Sequence, residues 1–235
     1  MPAIAWHTTL ADVPAGPAIV VANEVLDALP TRQLVRTPDG WRERCVGMSP
    51  TGQLVFVSGN PVAAIPDALA AVADTARSGD VLEVTGADEL AGGLARRARV
   101  APLAALLIDY GHVDSALGDT LQAVRGHAFA QPLQAPGSAD LSAQVDFAQV
   151  AASLRRHGLG LDGPVSQAAF LSRLGMTERA SRLMSANAGQ ANAIEMAVGR
   201  LLSPSGMGAR FQALGARSPD LPPLPGLQDR ASLRP

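Results

Sequence analysis

The feature that most constrains the fold is a short apolar run at residues 18–22 (AIVVA), which ends abruptly in Asn23-Glu24. Continuous β-branched runs of this length are typical of strands buried on both faces, as in a parallel sheet. In open α/β sheets, ligands bind at the carboxyl ends of the strands. The run therefore predicts an α/β fold in which Asn23 and Glu24 stand where chemistry takes place.

A second apolar run, residues 104–108 (AALLI), repeats this pattern and ends in Asp109-Tyr110-Gly111-His112. If the two runs form adjacent parallel strands, their carboxyl ends meet at one edge of the sheet. We therefore expect Asp109 to lie near Asn23 and Glu24.

The segment after the first run predicts a short helix from Asn23 to Leu29, closed by Pro30. On such a helix Glu24 and Asp27 are three residues apart and share one face. Two interpretations stay open. The carboxylates act together in chemistry, or Asn23 caps the helix and the carboxylates complement its N-terminal dipole.

Composition indicates a globular protein and excludes several classes of function. The 235 residues are 47% hydrophobic and 17% charged, enough for one sizeable core, so we expect one domain over residues 1–218 and an unpacked proline-rich tail over 219–235. A net charge of −2 argues against nucleic acid as a partner. All the basic residues are arginines, which excludes a catalytic lysine.

The remaining compositional signals predict neither a metal site nor a membrane anchor. Cys45 is the single cysteine, so a disulfide framework and a cysteine zinc site are excluded, and four scattered histidines do not make a metal site. No apolar stretch approaches the ~20 residues of a membrane span, and no signal peptide is recognisable, so the cytoplasm is the expected location.

Periodicity predicts the other elements in outline. Turn residues at 38–40 and at Gly52 separate three strand-like segments, which predicts a β-hairpin insertion over residues 31–59. Helical spacing predicts a helix over residues 65–76, and residues 81–84 predict a short strand. Asp146 is expected to cap a helix whose inner face is Phe147, Val150, Ala151 and Leu154.

An ordered set of motifs resembles the MidA-like family of S-adenosylmethionine-dependent methyltransferases. The set is Asn-Glu-x-x-Asp-Ala-Leu-Pro (23–30) with Arg32-Gln33, the WRER of 41–44, the LIDYGH of 107–112, the GDTLQA of 118–123, the DLSAQVDF of 140–147, the GPVSQ of 163–167, Phe170-Leu171 and Met207-Gly208. Val25-Leu26 stands where the family usually carries aromatic residues. The resemblance covers nearly the whole chain, and it implies the C-terminal part of a Rossmann-like methyltransferase sheet with the hairpin insertion and added helices.

The resemblance also implies the reaction, since the mitochondrial member of the family methylates an arginine of a partner subunit. A planar, cationic guanidinium is held well by carboxylates. Glu24 is the first choice for that role, and Asp27 and Asp109 are the second. Asn23 would contact the acceptor or the edge of the cofactor.

Tyr110 and His112 complete the expected site on the substrate side. Tyr110 would line the pocket, and His112 would receive the released proton. Simpler interpretations stay open for two of these residues: Asp109 as a strand-end residue that binds its own backbone, and His112 as an exposed loop residue.

Family members hold S-adenosylmethionine with a glycine-rich turn after the first strand and an acidic residue that ends the second, and we expect that cofactor-binding half to be absent from this chain. Its one Gly-x-Gly-x-x-Gly, at 158–163, follows a helical pattern and precedes no helix, so it lacks the context of a dinucleotide fingerprint. We therefore expect weak cofactor binding, and self-association or a partner subunit to cover the exposed strand edge.

Three functions stay open at this point. The first is a protein arginine methyltransferase, and the second is a non-catalytic binding or assembly module of the same family. The third is a hydrolase that uses Asp109 and His112, although no Gly-x-Ser-x-Gly elbow supports it.

Overall fold

The structure is a computed structural model that describes residues 4–228. In chain order the strands are β1 (Ala18–Asn23), β2 (Thr31–Thr37), β3 (Gly40–Met48), β4 (Leu54–Pro61), β5 (Val81–Thr85), β6 (Leu103–His112), β7 (Gln122–Arg125), β8 (Ala128–Ala130), β9 (Asp140–Ser142), β10 (Val145–Asp146), β11 (Gly160–Ser166) and β12 (Phe211–Arg217). The helices are α1 (Ala70–Ala73), α2 (Ala87–Ala98), α3 (Phe147–Arg156), α4 (Gln167–Arg173), α5 (Met176–Ala186) and α6 (Ala191–Leu202). The fold is therefore mixed α/β.

The internal contacts divide the chain into two compact units. Within the described range, the first unit contains the residues up to Asn23, residues 88–108 and the residues from Ser153 onward. The second unit contains residues 24–87 and 109–152. The assignment of residues 1–218 to one methyltransferase domain stays a prediction, since compactness alone does not define a functional domain.

The first unit is built on a sheet with the strand order β1-β6-β12-β11. β1 and β6 are parallel, with Ala18 opposite Leu103 and Asn23 opposite Ile108, and β11 and β12 are antiparallel. The prediction that residues 18–22 and 104–108 form adjacent parallel strands is therefore confirmed.

β1 is the edge strand of this order, and its burial differs from the expectation. Ile19 is 85% exposed and Val21 is 65% exposed, whereas Ala22 is buried. A strand with a neighbour on one side and one open face exposes alternate residues. The prediction that both faces of this run are buried is therefore wrong for the described residues.

The proline-rich segment that follows β12 packs onto the first unit as far as it is described. Leu227 is 1% exposed and lies in an apolar cluster with Val165, Phe170 and Ala213, against which Leu224 also packs. The expectation of an unpacked tail is therefore wrong for residues 219–228, because these leucines cover the core. Residues 229–235 lie outside the described range.

The second unit contains an antiparallel sheet with the order β4-β3-β2-β5 and a small sheet with the order β8-β7-β9. The strands predicted within residues 31–59 are present as the antiparallel β2, β3 and β4, and their being an insertion into a methyltransferase domain stays a prediction. Leu34, Leu69, Ala73 and Leu82 form the apolar core of this sheet. The helix predicted over 65–76 is reduced to a 3-10 turn (Asp67–Leu69) and α1, because the residue before Pro66 is disfavoured in a helix.

The start of α3 follows the sequence prediction. The backbone amide of Gln149 donates to Asp146 Oδ1 at 3.0 Å, so Asp146 caps the helix. Phe147, Val150, Ala151 and Leu154 are all buried, as the helical period predicts. β10, just before the cap, pairs in parallel with the end of β6, where Gly111 lies opposite Val145 and His112 opposite Asp146.

Candidate functional site

The segment that follows β1 is a turn and not the predicted helix. Glu24 has φ +51°, in the left-handed region that non-glycine residues seldom adopt. One turn bond follows, from the amide of Leu29 to the carbonyl of Leu26 at 3.2 Å. The helix prediction is wrong because the amides of Leu26 and Asp27 bind a side chain from elsewhere in the second unit.

That side chain is Asp109. Its Oδ2 accepts hydrogen bonds from the amides of Leu26 at 2.9 Å and Asp27 at 3.1 Å, and its Oδ1 accepts from the amide of Tyr110 at 2.9 Å. Asp109 is 0% exposed. Burial, followed by the nearby charge of Asp27, raises the pKa of Asp109 to about 6.

These contacts hold the turn in place and leave Asp109 directed at backbone amides. The simpler interpretation of Asp109, a strand-end residue that binds nearby backbone, matches this geometry. A direct catalytic role for Asp109, alone or with His112 in hydrolysis, stays a prediction that the observed contacts do not support.

Tyr110 connects the turn to β9. Its hydroxyl donates to Asp27 Oδ2 at 2.7 Å and lies 2.7 Å from Ser142 Oγ. Burial is the main cause that raises the pKa of Tyr110. The backbone amide of Ala143 donates to the carbonyl of Asp27 at 3.0 Å, which fastens the same segment a second time. The second unit therefore brings Asp27, Asp109 and Tyr110 into one hydrogen-bonded cluster.

Asn23 and Glu24 are exposed, and they belong to different units. Their predicted contacts with cofactor and acceptor stay predictions. A non-glycine residue held in the left-handed region is a feature that clusters at functional sites, and the turn around Glu24 is fixed by Asp109. The backbone that follows the exposed Glu24 is therefore held by Asp109.

His112 lies half-buried in the wall of a cavity of about 250 Å³ in the second unit. Its Nδ1 lies 2.7 Å from the carbonyl oxygen of Asp114. The cavity is lined by Thr31, Glu83, Thr85, His112, Ala116, Leu117, Gly118, Thr120, Gln144, Asp146 and Gln149. His112 is thus a cavity residue rather than a loop residue directed at solvent.

Sequence reasoning missed Glu83 altogether and read Asp146 as a helix cap alone. Glu83 Oε1 accepts from Gln33 Nε2 at 2.7 Å and from the amide of Thr120 at 3.0 Å, and its Oε2 accepts from Thr120 Oγ1 at 2.5 Å. Gln149 Nε2 donates to Asp146 Oδ2 at 2.9 Å. The available signal for Glu83 was a carboxylate inside the otherwise apolar strand Val81–Thr85.

The glycine motif at 158–163 has the role that its sequence context predicts. Gly158 has φ +83° and ends α3, and Gly160 begins β11. Across residues 4–228, no Gly-x-Gly-x-x-Gly joins a strand to a following helix. The motif at 158–163 is therefore not a glycine-rich turn between a strand and a helix, and the absence of the cofactor-binding half stays a prediction.

Within residues 4–228, no group of three or more His, Cys, Asp or Glu side chains is arranged to hold a metal ion. None of the helices found there has the length and apolar character that crossing a membrane requires.

Comparison with protein families shows which family the chain is related to. Residues 2–165 match the family described as "Putative S-adenosyl-L-methionine-dependent methyltransferase". The chain belongs to this family. Members bind S-adenosylmethionine, so the expected resemblance to MidA-like methyltransferases is confirmed.

Individual relatives extend the match beyond residue 165. The chain is 35% identical over 212 residues to the mitochondrial protein arginine methyltransferase NDUFAF7 of Danio rerio, which covers 89% of this chain and 49% of the relative. The Homo sapiens protein of that name is 34% identical over 215 residues, covering 88% of this chain and 47% of the relative. The chain therefore spans about half the length of these curated relatives.

A solved structure supports the fold. A Burkholderia thailandensis protein bound to S-adenosyl-homocysteine superposes with a TM-score of 0.79 at 27% identity, covering 92% of this chain and 58% of that one. A second structure from the same organism gives a TM-score of 0.78 at 28% identity, over 91% and 58% of the two chains. The family's fold thus extends over most of this chain.

Proposed function

We propose that this chain forms the acceptor-binding part of an S-adenosylmethionine-dependent methyltransferase whose substrate is an arginine in a protein. Family membership supports the methyltransfer, and the named relatives at about 35% identity support the arginine. The observation that supports this proposal most is the turn after β1, where the exposed Glu24 has a positive φ and Asp109 binds the amides of the next residues, Leu26 and Asp27.

The proposed chemistry depends on positioning. S-adenosylmethionine supplies the methyl group as a sulfonium, and an acceptor nitrogen must approach it in line. A carboxylate can orient a guanidinium through paired charge-assisted hydrogen bonds. In this proposal Glu24 orients the acceptor, while Asp109, Asp27 and Tyr110 keep the turn rigid. The fold would be the C-terminal part of a Rossmann-like methyltransferase.

The test uses a hybrid protein in which residues 1–235 follow the amino-terminal part of the Burkholderia thailandensis protein. Radiolabelled S-adenosylmethionine is the donor, and amino-acid analysis after hydrolysis identifies the methylated residue. We expect methylarginine, and we expect Glu24→Gln to abolish transfer while cofactor affinity changes by only a few fold. Removing one partner of such a charged contact costs on the order of 2–5 kcal/mol.

Glu178→Gln is the matched control, because Glu178 is an exposed carboxylate of the first unit. It should transfer methyl groups at the wild-type rate. Transfer by Glu24→Gln at that same rate would remove Glu24 from the mechanism, and label on another amino acid would refute the arginine assignment.

A second candidate, a non-catalytic binding module, is favoured by one observation, the exposed apolar residues of β1. Ile19 and Val21 lie on an edge strand, and such an edge can pair with another chain. For residues 1–235 alone, light scattering should then show a homo-oligomer, or a complex with a protein partner. Calorimetry that finds micromolar S-adenosylmethionine binding by a monodisperse monomer would contradict this candidate.

A further inference from the structure

The cavity of the second unit, lined by Glu83 and Asp146, has no role in the proposed function, which concerns Glu24 in the turn after β1. We infer that this cavity receives an arginine side chain of the protein substrate, with Glu83 and Asp146 as its carboxylate partners. The inference rests on the proposed function and deepens it, because it assigns a second set of residues to the recognition of the acceptor.

The charge of the cavity wall favours a cationic ligand. Glu83 and Asp146 both line it, and its wall contains neither arginine nor lysine. Among the described residues, neither carboxylate forms an ion pair, since Arg44, the arginine nearest in the hydrogen-bond network, pairs with Asp119 at 2.6 Å and donates to Gln33 Oε1 at 3.1 Å. The field in the cavity therefore attracts positive charge.

Both carboxylates keep unused acceptor capacity. An ionised carboxylate offers about four acceptor positions. Hydrogen bonds from neutral donors occupy three positions at Glu83 and two at Asp146. These neutral donors hold the two side chains in fixed orientations. A guanidinium, with five N–H donors in a planar fork, matches the positions that remain.

The size of the cavity favours a side chain over a nucleoside. Its volume of about 250 Å³ is below the ~300–1,000 Å³ typical of pockets for drug-sized ligands. Ala116 and Leu117 provide an apolar part of the wall, which suits the methylene stem of an arginine. The sulfonium and adenosine of the cofactor would need more room than this.

Two chain segments connect the cavity with the hydrogen-bonded cluster of Asp27, Asp109 and Tyr110. His112 in its wall follows Tyr110 by two residues on β6, and Gln144 follows Ser142 by two. The backbone amide of Gln144 donates to Thr120 Oγ1 at 2.9 Å, and that hydroxyl donates to Glu83. The segments that carry Tyr110 and Ser142 therefore continue into the cavity wall.

The experiment titrates the full chain, labelled with ¹⁵N, with N-acetyl-arginine amide, and follows the backbone amide resonances. We expect the largest shifts at Thr120, Gln144 and Gln149. N-acetyl-citrulline amide, a neutral molecule of nearly the same shape, should bind about tenfold more weakly or worse, because the charge-assisted bonds are lost.

Substitutions then test the two carboxylates. Glu83→Gln and Asp146→Asn should each weaken arginine binding by about tenfold or more. The matched controls, Glu178→Gln and Asp39→Asn, remove the same charges from exposed positions and should stay within twofold of wild type. Circular dichroism shows whether each variant is folded. If a variant is not folded, the binding of the arginine and citrulline derivatives to the wild-type protein tests the inference instead.

Shifts confined to residues outside the cavity, equal binding of citrulline, or no saturable binding would each overturn the inference. The arginine titration needs no methyl donor, so its result can be distinguished from the result of the methyl-transfer test of the proposed function. Methylarginine formed by the hybrid protein without arginine binding in the cavity would refute the inference alone. Arginine binding in the cavity without methylarginine would refute the proposed function alone.

Discussion

The two units of this chain surround their buried and half-buried carboxylates with different partners. In the first unit, Asp162 accepts from Arg217 Nε at 2.9 Å and from the amide of Leu224 at 3.0 Å, so its charge is neutralised within the fold. In the second unit, Glu83 and Asp146 accept from neutral donors alone and line a cavity. The first arrangement stabilises the packing, whereas the second keeps negative charge available for a ligand.

The largest expected effect on the free energy of unfolding comes from removing the guanidinium of Arg217, which pairs with Asp162 in the first unit. Arg217→Met leaves the Asp162 charge buried and unpaired, which typically costs about 3–5 kcal/mol in the free energy of unfolding. Urea denaturation measures this cost. The control is Arg156→Met, which breaks an exposed pair with Asp88 and should cost at most about 1 kcal/mol. Equal costs for the two variants would remove the contrast between the buried pair and an ordinary surface pair.

The second prediction concerns pH and Asp109. Its pKa is raised from 3.8 to about 6 in the folded state, so the stability linked to its protonation is fully present below about pH 4 and is lost as the pH rises through 6. Wild type should therefore lose more stability between pH 4 and 6 than Asp109→Asn does. Urea denaturation across this range is the measurement, with Asp39→Asn as the control. Parallel pH profiles for wild type and Asp109→Asn would contradict the prediction.

The third prediction removes the hydroxyl that joins the turn to β9. Tyr110→Phe leaves Asp27 and Ser142 without a shared partner, and we expect a loss of about 1–2 kcal/mol in the free energy of unfolding. Thermal denaturation measures it. A variant as stable as wild type would show that the Tyr110 hydrogen bonds do not hold the turn.

The fourth prediction tests whether the cavity carboxylates support the fold. Glu83→Gln keeps an oxygen for Gln33 and for the amide of Thr120 and loses no cation, so it should cost no more than about 1 kcal/mol. A loss in urea denaturation as large as that of Arg217→Met would place Glu83 among the structural carboxylates and erase the difference between the units.

The smallest expected effect on stability comes from a substitution at Glu24. Its φ of +51° is strained for a side chain but ordinary for glycine, so Glu24→Gly should leave stability unchanged or raise it by up to about 1 kcal/mol. The same substitution should abolish methyl transfer by the hybrid protein. A stabilised, inactive variant is the signature of strain held at a functional position, and a stabilised, active one would contradict the role proposed for Glu24.

Some elements of the fold could be predicted from the sequence, and others could not. The two apolar runs predicted the parallel pair β1 and β6, and Asp146 predicted the start of α3. These predictions succeeded because they depend on local period and on a cap within the same segment. The helix predicted after Asn23 failed because Asp109, more than eighty residues away in the chain, binds the amides of Leu26 and Asp27.

The sequence by itself determined the family, the strand and helix periods, and the cluster of polar residues after each apolar run. Only the tertiary structure decided that Glu83 lines a cavity with Asp146, that Asp109 supports a turn, and that Leu227 is buried. The physical reason is the sequence separation over which each interaction acts. Propensity, period and capping act within about four residues, whereas a cavity wall and the partner of a buried carboxylate are set by segments that folding brings together.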